Sequence, residues 1–367
     1  MSYIKSLDGI RGIAILLVLL FHSGILLVGW AGVQLFFVLS GYLITRGLIE
    51  QKNGSLREYL TGFVWRRSLR IFPLYFFFIA AVAVIFMLTT EPGSFKQDWP
   101  FLLTYTTNFG RLREIDIDPA FVHLWSLAVE EQFYLIWPLI VWALPLHTFK
   151  RVVLAFILLT PGVRLGLFHL FAEMDQEWIG RSIYCLPISQ FDAFATGAAI
   201  FLWKPYEWRN AVSLAAGTIG LTTLAGAMAL VYQHLCCHNA VKWSFGYPMY
   251  LMQANGFVWG YTLLNFASAA LIIAAIRGGP VNLILESKPA VASGRISYGL
   301  YVYHLPMLYL LNMVPIGGWP WSLLYLAIIF GTAQLSFKYL ESPFLRLKRL
   351  HSRAAEEPAA ALRPAPP

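Results

Sequence analysis

The chain of 367 residues is 58% hydrophobic and only 13% charged, with a formal net charge of +8. A water-soluble chain carries about a quarter charged residues, and surface-to-volume scaling stops a core from absorbing so much apolar surface. Composition therefore excludes a soluble enzyme or binding module and places the excess apolar surface against lipid, in one polytopic bundle of transmembrane α-helices.

Taken in chain order, the first element runs from Ile13 to Thr45 without an acid, Lys or Arg, too long for one span and expected to fold as a helical hairpin broken at Gly29 and Gly32. The first apolar run lacks a small-residue cleavage site and leads straight into the second, so no cleavable signal peptide is expected. Further spans are expected at about 71–89, 124–145, 152–172, 182–203, 211–232, 249–276, 295–314 and 320–340, each near the roughly 20 residues that cross a bilayer core. Only helices satisfy their own backbone groups within such segments, so the fold class is all-α, with about ten spans.

Basic residues orient the bundle. With both termini in the cytoplasm, all but six of the 27 Lys and Arg fall on that side, the six being Lys96, Arg111, Arg113, Arg164, Arg181 and Lys242. The acidic stretches Glu114-Asp116-Asp118 and Glu173-Asp175-Glu177 fall outside. The positive charge is then topology plus attraction to anionic lipid heads, and it does not argue for nucleic acid. Residues 350–367 form a basic, then Ala- and Pro-rich cytoplasmic tail expected to be disordered.

The three cysteines, Cys185, Cys236 and Cys237, indicate no disulfide framework, and the spacing of His234-Leu-Cys-Cys-His238 matches no common zinc pattern, so no metal is expected. No internal repeat is visible, which weighs against a transporter built from inverted repeats.

Ionisable groups at membrane depth are costly and mark candidate sites. His22 lies eleven residues beyond Arg11, roughly 16 Å along a helix, which puts Arg11 at the inner interface and His22 near mid-bilayer as a proton acceptor. The bland alternative is an imidazole that only bonds a neighbouring helix. Just before the third span, Trp65-Arg66-Arg67-Ser68-Leu69-Arg70 places Arg67 and Arg70 on one helix face, where guanidinium forks can hold phosphate or merely anchor the span. Entering the fourth span, His123, Ser126, Glu130 and Tyr134 share a face, beside Glu131. Two adjacent carboxylates at the edge of an apolar segment suit orienting or deprotonating a hydroxyl, unless Arg164 or Arg181 pairs with them. Asp192 needs a buried partner, Arg181 or Arg164, and Ser297, Tyr301 and His304 share a face that can line a cavity or join neighbouring helices. His169 reads as structural.

Together these segments resemble acyltransferase family 3, bacterial membrane O-acyltransferases, from Leu7 to Arg349. The opening Leu7-Asp8-Gly9-Ile10-Arg11-Gly12 with His22 looks like the family's Arg-x10-His signature. Gly32-Val-Gln-Leu-Phe-Phe37 through Ser40-Gly41-Tyr42 resembles its second span, and Arg67-Ser-Leu-Arg70-Ile-Phe-Pro73 its Arg-x-x-Arg motif. Trp125-Ser126 with Glu130-Glu131-Gln-Phe-Tyr134, then Ser297-Tyr298-Gly299-Leu-Tyr301 and Glu341-Ser342-Pro343, resemble motifs of its fourth and last spans.

The resemblance implies a membrane-embedded acyltransferase domain over residues 1–349, in the bacterial inner membrane. It implies transfer of an acyl group, usually acetyl, from cytoplasmic acetyl-coenzyme A to a hydroxyl of a carbohydrate or glycoside. Arg67 and Arg70, with Arg11 or Arg66, would grip coenzyme A phosphate. His22 would act as general base or acyl carrier, while Glu130 and Glu131, with Ser126, Tyr134 and Tyr301, hold the acceptor or orient His22. Some members carry a further esterase-like periplasmic domain. Here the sequence ends soon after the tenth expected span, so transfer onto the final acceptor is expected within the membrane domain or on a separate periplasmic or glycan-assembly partner. The rival readings are a proton-coupled secondary transporter, which also uses buried His, Arg and carboxylates, and a membrane sensor or scaffold without chemistry.

Overall fold

A computed structural model describes residues 3–52, 54–89, 95–110, 112, 117–237, 243–312 and 318–347. Expectations about Arg111, Arg113, Glu114, Asp116, His238, Lys242 and the tail from 348 onward lie outside the described residues. Among those described, every regular element is helical. Six helices are long and apolar enough to cross a membrane: Ala31–Glu50, Leu56–Leu88, Leu146–Leu170, Ala211–Leu235, Gln253–Arg277 and Trp321–Leu347.

The chain divides into two compact units, Met1–Gln51 with Lys96–Ser297, and Lys52–Phe95 with Tyr298–Pro367. The first unit opens with α1 (Lys5–His22) and α2 (Ala31–Glu50). The hairpin break therefore spans residues 23–30 rather than falling between Gly29 and Gly32: Gly24 takes the left-handed conformation at φ 71°, and Gly32 lies inside α2. Gly32 serves close packing instead, since a Cβ there would sit 2.4 Å from the Ala14 carbonyl oxygen of α1. The short helix α4 (Phe95–Leu103) was not expected from hydropathy. It carries Asp98, buried and accepting a hydrogen bond from the Asp118 backbone N–H at 2.9 Å. Burial pushes the Asp98 carboxyl above the usual carboxylate range, the Asp118 N–H opposing and the Asp118 charge adding.

Next come α5 (Trp125–Ala143) and α6 (Leu146–Leu170). The expected span 182–203 is not one helix. It is α7 (Gln176–Cys185), a break at Leu186–Gln190 with Pro187 at its start, and α8 (Phe191–Trp203). Backbone freed at such a break must be satisfied by protein. Arg164 of α6 donates to the Ser189 carbonyl from Nε at 2.9 Å and from Nη2 at 2.7 Å. Gln190 Nε2 donates to the Tyr184 carbonyl at 2.7 Å and is itself held through its oxygen by Gln34 Nε2 at 2.9 Å.

The unit closes with α9 (Ala211–Leu235), α10 (Gly256–Arg277), α11 (Val281–Leu285) and α12 (Lys288–Arg295). α10 starts seven residues later than the expected boundary at 249, after a segment with left-handed Tyr250, Leu251, Ala254 and Asn255. Small residues set the helix spacing, as is usual in membranes. A Cβ on Gly9 would come 1.8 Å from the Leu285 carbonyl oxygen, and one on Gly294 would come 1.7 Å from that of Asp8. The glycines of the opening motif thus bring α1 against α11 and α12. The mutual pair Gly41 and Gly197 does the same for α2 and α8.

The second unit holds α3 (Leu56–Thr89), most of α13 (Ser297–Asn312) and α14 (Gly318–Ser336), which continues through a π-helical turn, Phe337–Glu341. α3 begins well before residue 71, so the arginine cluster lies within this helix and not ahead of it. The expected ninth span, 295–314, is α13, which a break at Ile296 separates from α12 ahead of it.

Candidate active site

In the first unit the two carboxylates of α5 occupy different surroundings. Glu130 Oε1 accepts hydrogen bonds from the Tyr134 hydroxyl at 2.5 Å, one helical turn on, and from the Ser40 hydroxyl of α2. The shared face expected for Glu130 and Tyr134 is therefore real, and this carboxylate is bonded by two hydroxyls rather than by Arg164 or Arg181. Ser40 is a residue that sequence reasoning missed as part of the site; its only signal was its place in the Ser40-Gly41-Tyr42 segment. Glu131 is half-buried, with Oε1 screened from solvent.

Gln132 fixes how this helix sits. It exchanges hydrogen bonds with Asn108 at 3.0 and 3.2 Å and donates to the Tyr105 carbonyl at 2.9 Å. Phe133 stacks on Phe194 of α8 with ring centroids 4.0 Å apart, and Trp137 Nε1 donates to Thr45 Oγ1 of α2 at 2.9 Å. α5 is thus pinned on both sides of Glu130. Ser126 and His123 are buried at the start of the same face, His123 in a 3-10 turn ahead of the helix.

His22 is the last residue of α1. It is half-buried, its ring set edge-on to Phe21 at 4.9 Å between centroids. The backbone turns away directly after it, the Ser23 N–H bonding the Leu19 carbonyl and the Gly24 N–H that of Phe21. Arg11 lies two turns into the helix from its other end and is ion-paired with Asp8, one turn back. Tyr3 donates to the second oxygen of Asp8 at 2.7 Å. Arg11 and His22 thus stand on one continuous helix, as their spacing predicts.

Asp192 finds the partner expected of it in Arg164. Both side chains are completely buried, and the guanidinium also donates to Thr262 Oγ1 at 3.0 Å, while Thr262 donates to the other Asp192 oxygen at 2.6 Å. Tyr261 lies under the guanidinium at 5.1 Å. With its donors committed to the Ser189 carbonyl, Asp192 and Thr262, this pair ties α6, α8 and α10 together and reads as structure.

Arg66, Arg67 and Arg70 belong to the second unit, all half-buried on α3. The Arg67 guanidinium lies 6.0 Å from the centre of the Phe63 ring. Three cations within five residues on a helical surface suit a polyanionic phosphate group. Tyr301 is buried in α13, its carbonyl 2.5 Å from His304 Nδ1, and the fully buried His304 thereby bonds within its own helix. Among the described residues no cluster of His, Cys, Asp and Glu suits a metal ion.

A family model described as Acyltransferase domain matches residues 4–337. The chain is similar to O-acetyltransferase OatA of Staphylococcus aureus, in strain NCTC 8325 and likewise in strain MRSA252, at 29% identity over 364 residues, covering 93% of this chain. The chain spans only 57% of the length of these relatives. No solved structure matches it.

Proposed function

Since this chain belongs to acyltransferase family 3, we propose that it is an integral-membrane O-acetyltransferase moving acetyl from cytoplasmic acetyl-coenzyme A to a hydroxyl of a carbohydrate or glycoside. The observation that carries this reading is the family match, which takes in every candidate residue from Arg11 to Tyr301. The similarity to proteins named O-acetyltransferase narrows acyl to acetyl.

The proposed topology has about ten spans, with both termini in the cytoplasm of a bacterial inner membrane. α1, α5, the broken α7–α8 pair and α13 add to the six long apolar helices. The resident chemistry falls to four sets of groups. Arg67 and Arg70, with Arg66 or Arg11, hold the phosphates of coenzyme A through charge-assisted bonds. His22 takes the proton of the acceptor hydroxyl as it attacks the thioester carbonyl, or first carries the acetyl group itself. Glu130, held by the hydroxyls of Ser40 and Tyr134, orients the acceptor or the imidazole, with Glu131 beside it. Ser126, Tyr134 and Tyr301 contact the acceptor. A separate glycan-assembly partner would receive or pass on the product.

Replacing Arg67 and Arg70 together by Ala is expected to abolish coenzyme A binding by the full chain in lipid nanodiscs, measured by calorimetry. Replacing Arg70 by Lys keeps the charge but loses the fork, so the KM for acetyl-coenzyme A should rise. Unchanged binding in the double variant would take the arginines out of the site.

A further inference from the structure

A hydroxyl inside a helix commonly turns back to the carbonyl four residues earlier. Thr160, Thr218, Thr223 and Ser268 all do so, at 2.6–2.9 Å. Ser40 does not. Halfway along α2, its hydroxyl crosses to α5 and donates to Glu130 Oε1. The same oxygen accepts the Tyr134 hydroxyl at 2.5 Å, which holds the carboxyl group from within its own helix. Ser40 and Glu130 are both half-buried, so neither is sealed in the core. The backbone around Ser40 is fixed as well. A Cβ on Gly41 would lie 2.0 Å from the Phe194 carbonyl oxygen of α8, and one on Gly197 would lie 1.9 Å from that of Val38. Further along α2, the bond from Trp137 to Thr45 ties this helix to α5 a second time.

An alcohol is a weak nucleophile until a base sits within hydrogen-bond reach, itself oriented by a third group. Ser40, Glu130 and Tyr134 stand in those three places. We propose that Ser40 is a catalytic nucleophile that carries the acetyl group between donor and acceptor, with Glu130 as its base and Tyr134 positioning Glu130. The proposal rests on the acetyltransferase reading above and goes beyond it by assigning a covalent step to Ser40. In the first half, Ser40 Oγ attacks the thioester carbonyl and its proton passes to Glu130. The C–S bond breaks, and the coenzyme A thiolate takes that proton from Glu130. In the second half, the acceptor hydroxyl attacks the Ser40 ester carbonyl and the bond to Oγ breaks. His22 keeps its proposed role there, taking the acceptor's proton, which then returns to Oγ.

The test uses the full chain in nanodiscs, given acetyl-coenzyme A labelled in the acetyl group and no acceptor, then quenched in acid. Peptide mass spectrometry should find the acetyl group on Ser40, matched by a burst of about one thiol per protein. Ser40→Ala should lose both the burst and the label while binding coenzyme A as before. Glu130→Gln keeps the shape of the side chain but takes no proton, so the burst should slow by about 10²–10⁴-fold. In Ser40→Cys the label should stay at this position as a thioester cleaved by neutral hydroxylamine, which covers the case in which the alanine variant folds poorly. Acetyl trapped on His22 or Tyr134 instead, or a Ser40→Ala protein that transfers acetyl at the wild-type rate, would overturn the proposal. So would a wild-type protein that transfers acetyl to its acceptor but never labels Ser40. If the wild-type protein neither binds nor consumes acetyl-coenzyme A, the acetyltransferase reading itself fails and takes the proposal with it.

Discussion

Replacing His22 by alanine is expected to lower acetyl turnover by about 10²–10⁴-fold, the usual contribution of a positioned general base. Structure gives reasons why the variant should remain folded. α1 ends at His22 through backbone hydrogen bonds from Ser23 and Gly24, so the imidazole is not needed to terminate the helix. The packing of α1 depends on Gly9 and Gly12 near its other end, where Cβ atoms would meet the Leu285 and Ala290 carbonyls. At the membrane depth proposed for His22, removing a polar ring also favours insertion. Coenzyme A affinity should survive as well, because the proposed phosphate ligands on α3 are untouched. Expression, coenzyme A binding and acetyl transfer must be measured on the same preparation. A well-expressed His22→Ala protein that transfers acetyl at the wild-type rate would remove His22 from the mechanism and leave Glu130 and Glu131 as the leading groups.

The second large effect is on stability. Asp192→Ala leaves Arg164 buried without its counter-charge, a change that costs roughly 3–5 kcal/mol when a buried pair loses one partner. Both side chains have zero exposure, so solvent cannot screen the loss. Arg164 would keep the Ser189 carbonyl and Thr262 but lose the only carboxylate it pairs with among the described residues. Thermal unfolding in detergent should therefore shift down strongly. The double replacement Arg164→Met with Asp192→Leu should lose less than Asp192→Ala alone, because no charge is then stranded. An Asp192→Ala variant within about 1 kcal/mol of wild type would show that the pair is not what joins α6, α8 and α10.

The all-helical class was legible because lipid exposure leaves its mark on every segment. α9 alone displays Val212, Leu214, Ile219, Leu221, Leu224, Met228 and Val231. Local spacing was legible too: Arg67 and Arg70 share a helix, Tyr134 reaches Glu130 across one turn, and Asp192 found one of its two expected partners. Long-range partners were not. Nothing near Glu130 in the sequence points to Ser40, which comes from ninety positions earlier. The break at Leu186–Gln190 was hidden because its polar cost is met by Arg164 and Gln190 side chains, while the flanking residues stay apolar enough to read as one span. α1 departs in the opposite sense, beginning at Lys5 and taking in Asp8 ahead of Arg11, which the spacing to His22 had already put on the helix. The π turn at Phe337–Glu341 has no hydropathy signature at all.

The central claim is that acetyl passes from a coenzyme A thioester to a hydroxyl through this membrane domain. It is tested most directly in inverted membrane vesicles bearing the full chain, given acetyl-coenzyme A labelled in the acetyl group at the now-exposed cytoplasmic face. The account predicts release of free coenzyme A thiol matched by base-labile label on carbohydrate or glycoside, with both lost in His22→Ala. Proton-coupled solute uptake by vesicles that neither bind nor consume acetyl-coenzyme A would contradict it.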